Sequence, residues 1–253
     1  NIMHITILGS GTSIPHPRRA SPGLAIQIGE TAILVDPSSG SLHRAERYGI
    51  EIKNISHVFI SHFHLDHISD IAPLLFARKN STYFETEKLT LIGPPGLKQF
   101  YRKLVDLHGN MVRLAPSNLE IREIGTERLK FSNWAVRSLP VVHTKNSVGY
   151  RFVDSKGTVF AYSGDTDYCP ALIKLSTNAD AALIEAAQPS QLKIKGHLTP
   201  QLAGKIAQEA GVRRLVITHL YPVCDEYDLL AEIRDSGYEG PADIAFDGMK
   251  FRL

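Results

Sequence analysis

Apolar residues fall in short, branched-rich runs broken by Gly, Pro, Ser or Asp, and this pattern dominates the first third of the chain. Such runs predict strands over 5–8, 24–28, 32–35 and 58–60. Helical spacing intervenes over 42–48, 68–78 and 96–107, the last preceded by Pro94-Pro95, which suits a helix start. The pattern then resets, with strands expected over 119–124, 129–139, 147–153, 158–162 and 181–184. A helix over 200–209 follows, with Thr199 as its N-cap, and then a strand over 215–217. The tail predicts a helix near 227–235 and closing strands near 243–245 and 249–252. Strands grouped in two halves, each carrying its own helices, predict an α/β fold: a four-layer αβ/βα sandwich of two mixed β-sheets. Loops at the strand ends then converge along one edge. Without a linker, low-complexity segment or short-period repeat, residues 1–253 are expected to form a single domain.

Composition narrows the function classes only slightly. With 253 residues and 43% hydrophobic content the chain can bury a substantial core. A net charge of +2 argues against a protein that blankets a nucleic-acid backbone, while leaving room for a local basic patch. The two cysteines, Cys169 and Cys224, are too few for a disulfide framework or a thiolate zinc knuckle, so a reducing, cytoplasmic location is expected. No apolar run approaches the ~20 residues of a membrane span. Residues 3–8 read as a strand, not as a signal peptide.

The chemistry is concentrated in His62-Phe63-His64-Leu65-Asp66-His67, which places three imidazoles and a carboxylate within six residues directly after a strand. Buried imidazoles need a partner for each ring nitrogen, and a metal ion is the common solution. Alternation across an extended turn aims His62 and His64 at one point, and Asp66 and His67, entering the next helix, at a second. Two metals are therefore expected. His143, Asp165 and His219 each lie just past the end of an apolar extended run, where such an architecture would deliver further ligands.

These residues resemble the metal-site motifs of the metallo-β-lactamase-fold hydrolases, and the match spans nearly the whole chain. The resemblance implies that His62, His64 and His143 hold one divalent ion, that Asp66, His67 and His219 hold a second, and that Asp165 bridges them. Zinc is the default, with Mn²⁺ or Fe²⁺ acceptable to the same donors. It further implies an activated hydroxide shared by the two ions as nucleophile.

Within that family the sequence is most similar to the ribonuclease Z branch, the tRNA 3′-end processing endonucleases and their phosphodiesterase relatives. The segment Leu8-Gly9-Ser10-Gly11-Thr12-Ser13, with Pro15, Arg18 and Arg19, resembles that branch's Gly-rich opening loop beside the metal site. Its arginines are candidates to meet a phosphate, a plain solvated loop being the alternative. Asp165 stands where the main zinc β-lactamases carry Cys or Ser, which disfavours a β-lactam. His197 in Lys195-Gly196-His197-Leu198-Thr199 resembles the branch's additional histidine motif, and Glu185 its acidic partner, although Ala187 departs from the usual threonine. On the residues alone, a helix-flanking His197 and an edge-strand Glu185 are the alternative readings. The resemblance implies metal-assisted phosphodiester hydrolysis, with Asp66 as proton acceptor, His197 as general acid and Glu185 orienting it. Lys193 and Lys195 are placed to meet an anionic substrate at the rim. Lys98, Arg102 and Lys103, near Phe100 and Tyr101, read as the solvated basic face of an amphipathic helix, a nucleic-acid patch being the alternative.

One departure bears on substrate. The usual ribonuclease Z inserts a long tRNA-clamping arm between the positions of His143 and Asp165, which here lie only 22 positions apart. That spacing argues against pre-tRNA and for a smaller phosphodiester, a cyclic nucleotide, a short oligonucleotide or another small anionic ester. A thiolester hydrolase of the glyoxalase II kind or a lactonase would share the ligands, and a metal-stabilised binding protein would share them without turnover. The branch also implies a homodimer.

Overall fold

The computed structural model describes residues 2–80, 84 and 88–253. Its first sheet is built from β1 (Met3–Gly9), β2 (Gly23–Ile28), β3 (Thr31–Val35), β4 (Ile55–Phe59), β5 (Leu89–Gly93) and β6 (Leu119–Glu123). Its second is built from β7 (Arg128–Lys130), β8 (Trp134–Pro140), β9 (Val148–Asp154), β10 (Val159–Tyr162), β11 (Ala181–Glu185), β12 (Leu215–Thr218) and β13 (Ala242–Ile244). The last strand, β14 (Lys250–Arg252), crosses back and joins β1, giving two seven-stranded sheets of order β14-β1-β2-β3-β4-β5-β6 and β13-β12-β11-β10-β9-β8-β7.

Both sheets switch from antiparallel to parallel pairing part-way across. In the first, β1, β2 and β3 form an antiparallel meander, and β3 to β6 then run parallel. In the second, β7 to β10 are antiparallel and β10 to β13 parallel. Parallel neighbours need long crossovers, which here carry the helices: α1 (Ser41–Arg47), α2 (Leu65–Ile68), α3 (Ile71–Asn80) and α4 (Leu97–His108) on the first sheet. On the second they are α5 (Pro170–Ser176), α6 (Pro200–Ala210) and α7 (Leu229–Asp235).

Burial separates the layers. The inner faces meet in a core that includes Ile5, Ile26, Phe59, Trp134, Tyr150, Phe152 and Phe160. Phe59 sits at its centre, with ring centroids 5.2 Å from Tyr150 and 5.1 Å from Phe152, both edge-on. The outer faces bury separate apolar sets, Leu34, Val58, Leu74 and Leu91 under the first sheet's helices and Leu172, Ile184, Ile206 and Ile217 under the second's. This is the expected four-layer sandwich.

Several boundaries differ from the sequence reading. The helix expected over 68–78 is α3, which starts only at Ile71 after the short α2, because Asp70 N donates to Pro37 O at 2.9 Å instead of back into α2, while its carboxylate accepts from the Gly40 and Leu42 amides. The strand expected over 129–139 is the hairpin β7–β8, closed at Ser132-Asn133 by a bond from Phe131 N to Trp134 O of 2.9 Å. Phe131 and Trp134 stack across that turn at 3.9 Å. The expected helix over 227–235 is α7, which starts two residues later, at Leu229, after a 3₁₀ turn over Pro222–Glu226. Two elements escape the pattern altogether: β5, a fully buried strand between helices, and the short α5.

Candidate metal centre and active site

The ligand-type residues sit at the carboxyl ends of the strands, all on one edge, where α/β sheets place their sites. β3 leads into Asp36, β4 into His62 to His67, β8 into His143, β10 into Asp165 and β12 into His219, while Glu185 closes β11. Bonds between the sheets hold this edge shut. Val148 N donates to Ser61 O at 2.9 Å, Tyr150 OH to Ile60 O at 2.6 Å, and Tyr162 OH to Asp36 Oδ2 at 2.7 Å. Gly164 is required by this closeness, since its φ is +57° and a Cβ there would lie 2.7 Å from Ser61 Cβ.

Around the Asp165 carboxylate four imidazole nitrogens converge. Nε2 atoms of His67 and His219 lie 3.3 Å from its oxygens, and those of His62 and His143 lie 3.7 Å away. His64 Nδ1 stands 3.1 Å from His143 Nε2, and Asp66 Oδ2 lies 3.6 Å from His219 Nε2. The residues fall into two adjoining groups able to hold an ion, His62/His64/His143/Asp165 and Asp66/His67/His219. His197 makes a third grouping with Asp165 and His219.

Nδ1 atoms of His62, His67 and His143 are pinned by Ser61 Oγ (3.0 Å), Asp36 Oδ2 (2.8 Å) and Gly196 O (2.8 Å), which turns each Nε2 inward. Inside, the Nε2 atoms of His62, His67 and His219 and Oδ1 of Asp165 are buried with no hydrogen-bond partner. Spacings of 3.3 to 3.7 Å are those of groups that share a third body, not of groups bonded to one another. Orphaned nitrogen and oxygen donors of this kind fit divalent cations.

Electrostatics agree. Burial, followed by the neighbouring His67, pushes the His62 pKa down to about 2, which favours the neutral ring that metal ligation requires. Burial opposes ionisation of Asp165, but His219 and His67 outweigh it and hold its pKa well below the usual carboxylate range. Burial likewise opposes protonation of His67, and the Asp165 and Asp36 carboxylates overcome it and raise its pKa. A positive charge is therefore favoured between those two carboxylates. Strain is also local: among the described residues Asp36, Asn178 and His219 are the non-glycines with left-handed φ, and two of these three belong to the site.

His197 and Glu185 form a separate unit beside the cluster. Glu185 is buried, and its Oε1 accepts from Thr166 N and from His197 Nδ1, both at 2.9 Å. Its Oε2 accepts from Ala187 N and Leu198 N at 3.1 Å. Burial opposes a charged His197, but the bond to Glu185 outweighs it and raises the pKa. Thr199 Oγ1 accepts from Leu202 N at 3.3 Å, so the expected N-cap fixes the start of α6 just beyond His197.

Some expected anion contacts are already satisfied within the protein. Arg18 and Arg19 both donate to Asp225, whose pKa the two guanidiniums, Arg19 first, lower to about 2. The Gly-rich loop does lie beside the centre, Ser10 O accepting from Leu220 N at 3.0 Å. Lys193 is held by both Asp167 oxygens at 2.9 Å. The sequence reading missed Asp36 and Asp167. Asp167 also accepts from Gly196 N at 2.9 Å and so sets the loop that orients His143.

A sheet sandwich carrying this histidine–aspartate cluster on its strand-end rim defines a metal-dependent hydrolase. The chain belongs to the β-lactamase superfamily, whose domain matches residues 31–220. Ribonuclease Z of Myxococcus xanthus is 27% identical over 309 aligned positions, covering 100% of this chain and 98% of that protein. Since 309 positions exceed the 253 residues here, the relative holds segments this chain lacks. Ribonuclease Z of Mycobacterium marinum is 31% identical, with 87% of each chain covered. Among solved structures, the metallo-β-lactamase fold protein YhfI of Bacillus subtilis superposes with a TM-score of 0.87 at 25% identity, covering 100% of both chains. The chain is thus a ribonuclease Z-like member of the superfamily.

Proposed function

We propose that the protein is a phosphodiesterase that loads two divalent ions, zinc by default, and hydrolyses a nucleotide-type or other small phosphodiester. His62, His64 and His143 would hold one ion, Asp66, His67 and His219 the other, with Asp165 between them. The observation that carries this reading is the single buried carboxylate of Asp165 ringed by four imidazole Nε2 atoms at 3.3 to 3.7 Å. When bound, such a pair of ions supplies Lewis acidity to a phosphoryl oxygen and brings the pKa of water toward neutrality.

The chain's own residues supply the proton handling. Glu185 favours the protonated form of His197, with Nδ1 committed to that carboxylate, so its Nε2 is left to donate to the departing oxygen. Its ring lies 4.6 Å from that of His143 and 5.5 Å from that of His219, at the rim of the cluster. Asp66, held ionised chiefly by His219 and His67 against the effect of burial, is the proton acceptor. Glu185, through its four bonds, is a positioning residue. Two buried free thiols, Cys169 and Cys224, suit a reducing compartment such as the cytoplasm. No helix among the described residues is long and apolar enough to cross a membrane.

Elemental analysis with an activity panel of bis-p-nitrophenyl phosphate, cyclic nucleotides, pre-tRNA and a thiolester tests the reading. Phosphodiester turnover is expected, and His197→Ala should cut it by about 10²-fold with metal content unchanged. Thiolester turnover alone, or full phosphodiester activity in the variant, would overturn it.

A further inference from the structure

Away from the metal centre, the outer face of β7, β8 and β9 carries a row of arginines in register. Arg128 on β7 stands directly opposite Arg137 on β8, which stands directly opposite Arg151 on β9. Directly opposed residues share a face, so three guanidiniums follow one another across the sheet, spanning about 10 Å at the usual strand spacing. They line a groove of about 680 Å³ with Lys174 and Thr177 from the end of α5. The carboxylate in the groove, Glu127, is turned onto the Gly125 amide.

Like charges placed directly opposite across a sheet destabilise it. Arg151 has a structural task, donating to Leu175 O at 2.8 Å and Thr177 O at 2.7 Å and so closing the end of α5. Arg137 and Arg128 have none: neither makes a hydrogen bond or ion pair with a described residue. Protection of the edge strand against stray pairing would explain charges on β7, but not in-register arginines on β8 and β9 behind it. The contrast with the rim is sharp, since Arg18, Arg19 and Lys193 are all engaged by internal carboxylates. The row also lies near the chemistry. Arg137 and Arg151 are three residues along from the Pro140–Val148 pair at the strand end that delivers His143, about 10 Å away.

We propose that this face is a binding surface for the phosphate backbone of single-stranded RNA, with Arg128, Arg137, Arg151 and Lys174 as its cations. The choice of RNA among polyanions rests on the phosphodiesterase reading above; the surface itself does not. An oligoribonucleotide held on this row would lie within about 10 Å of the strand end that delivers His143, so the row sets affinity and leaves the chemistry of a small diester untouched.

The test is anisotropy of a labelled single-stranded oligoribonucleotide titrated across a salt series, with wild type and Arg128→Ala/Arg137→Ala. Arg151 stays in place because it closes α5. The variant should bind about 10-fold more weakly at low salt, and its slope of log affinity against log salt should be shallower by about 0.7 for each phosphate that the protein no longer neutralises. Its turnover of bis-p-nitrophenyl phosphate should equal wild type. The comparison variant Lys98→Ala/Arg102→Ala, which removes the same charge from α4, should bind as wild type. Unchanged affinity and slope in the first variant, or an equal loss in the second, overturns the surface. Binding is read apart from turnover, so a protein that binds RNA through this row and hydrolyses no phosphodiester sinks the functional reading alone.

Discussion

One carboxylate, Asp36, accepts from four donors: Ser61 N at 2.7 Å, Ser61 Oγ at 2.6 Å, Tyr162 OH at 2.7 Å and His67 Nδ1 at 2.8 Å. It thereby ties β3 to the loop after β4 and to β10, and fixes which nitrogen of His67 faces the centre. Asp36→Asn puts an amide donor among these donors, and loss of such an outer partner typically costs 10- to 100-fold in metal affinity. Competitive chelator titration should show one ion weakened by that order and the ion of the His62 group largely retained. The sequence hides this residue, because Val35-Asp36-Pro37-Ser38 reads as an ordinary turn. The candidate ligand cluster was legible, since His62, His64, Asp66 and His67 crowd into one loop. His57, five residues upstream, is a contrasting case. Its ring meets Phe131 and Trp134 edge-on, and burial, followed by the charge of Arg122, lowers its pKa from 6.5 to about 4. The folded state then binds fewer protons than the unfolded state between those values. Its contribution is intact above pH 6.5 and is lost as pH falls toward 4. His57→Phe should flatten the fall in urea midpoint across that window; an unchanged slope would show that another group titrates there.

Element by element, the sequence was readable where branched-rich apolar runs are bounded by turn residues, as in β1, β2 and β3. It failed where a turn lacked glycine. Ser132-Asn133 closes the β7–β8 hairpin between two stacked aromatics, so the apolar run looked continuous. α5 went unread although Pro170 in its first turn is a helix-start signal. The return of β14 to the first sheet depends on the Ile5–Phe251 pairing, which joins positions almost a full chain length apart and which no local pattern encodes. Packing of α6 against α7 likewise turns on one atom group. Ordinarily Gly to Ala inside a helix gains about 1 kcal/mol. At Gly204, however, a Cβ would lie 2.3 Å from Ser236 Oγ and 3.1 Å from both Ile233 O and Ser236 Cβ. The hydroxyl can rotate away, whereas the carbonyl and Cβ move only with α7. Overpacking costs about 1–3 kcal/mol, so the clash outweighs the propensity gain. Gly204→Ala should lower the thermal midpoint, and a rise would mean that the two helices separate freely.

At the scale of the molecule, the two sheets meet differently at their centre and at their rim. The centre is held by aromatic packing around Phe59, Trp134, Tyr150 and Phe152, which is indifferent to ions. The rim brings together His62, His67, Asp165 and His219, all buried, with unpaired nitrogens and an unpaired carboxylate oxygen. Buried unpaired polar atoms are destabilising, and a cation that satisfies them favours the closed edge. Binding to the folded state alone stabilises by about 4.1 kcal/mol per site at a free-ion concentration 1,000 times Kd. Chelation should therefore lower the thermal midpoint, and re-addition of zinc should restore it. Hydrogen exchange locates the effect: on metal removal, amides where Ser61 meets Val148 and in the loops after β4, β10 and β12 should become less protected. Amides of β1 and β2, and those of β9 from Tyr150 onward within the aromatic core, should not. Uniform loss of protection over both sheets would mean that the ions hold the whole sandwich together, and no loss at all would mean that the rim closes through the protein's own bonds alone.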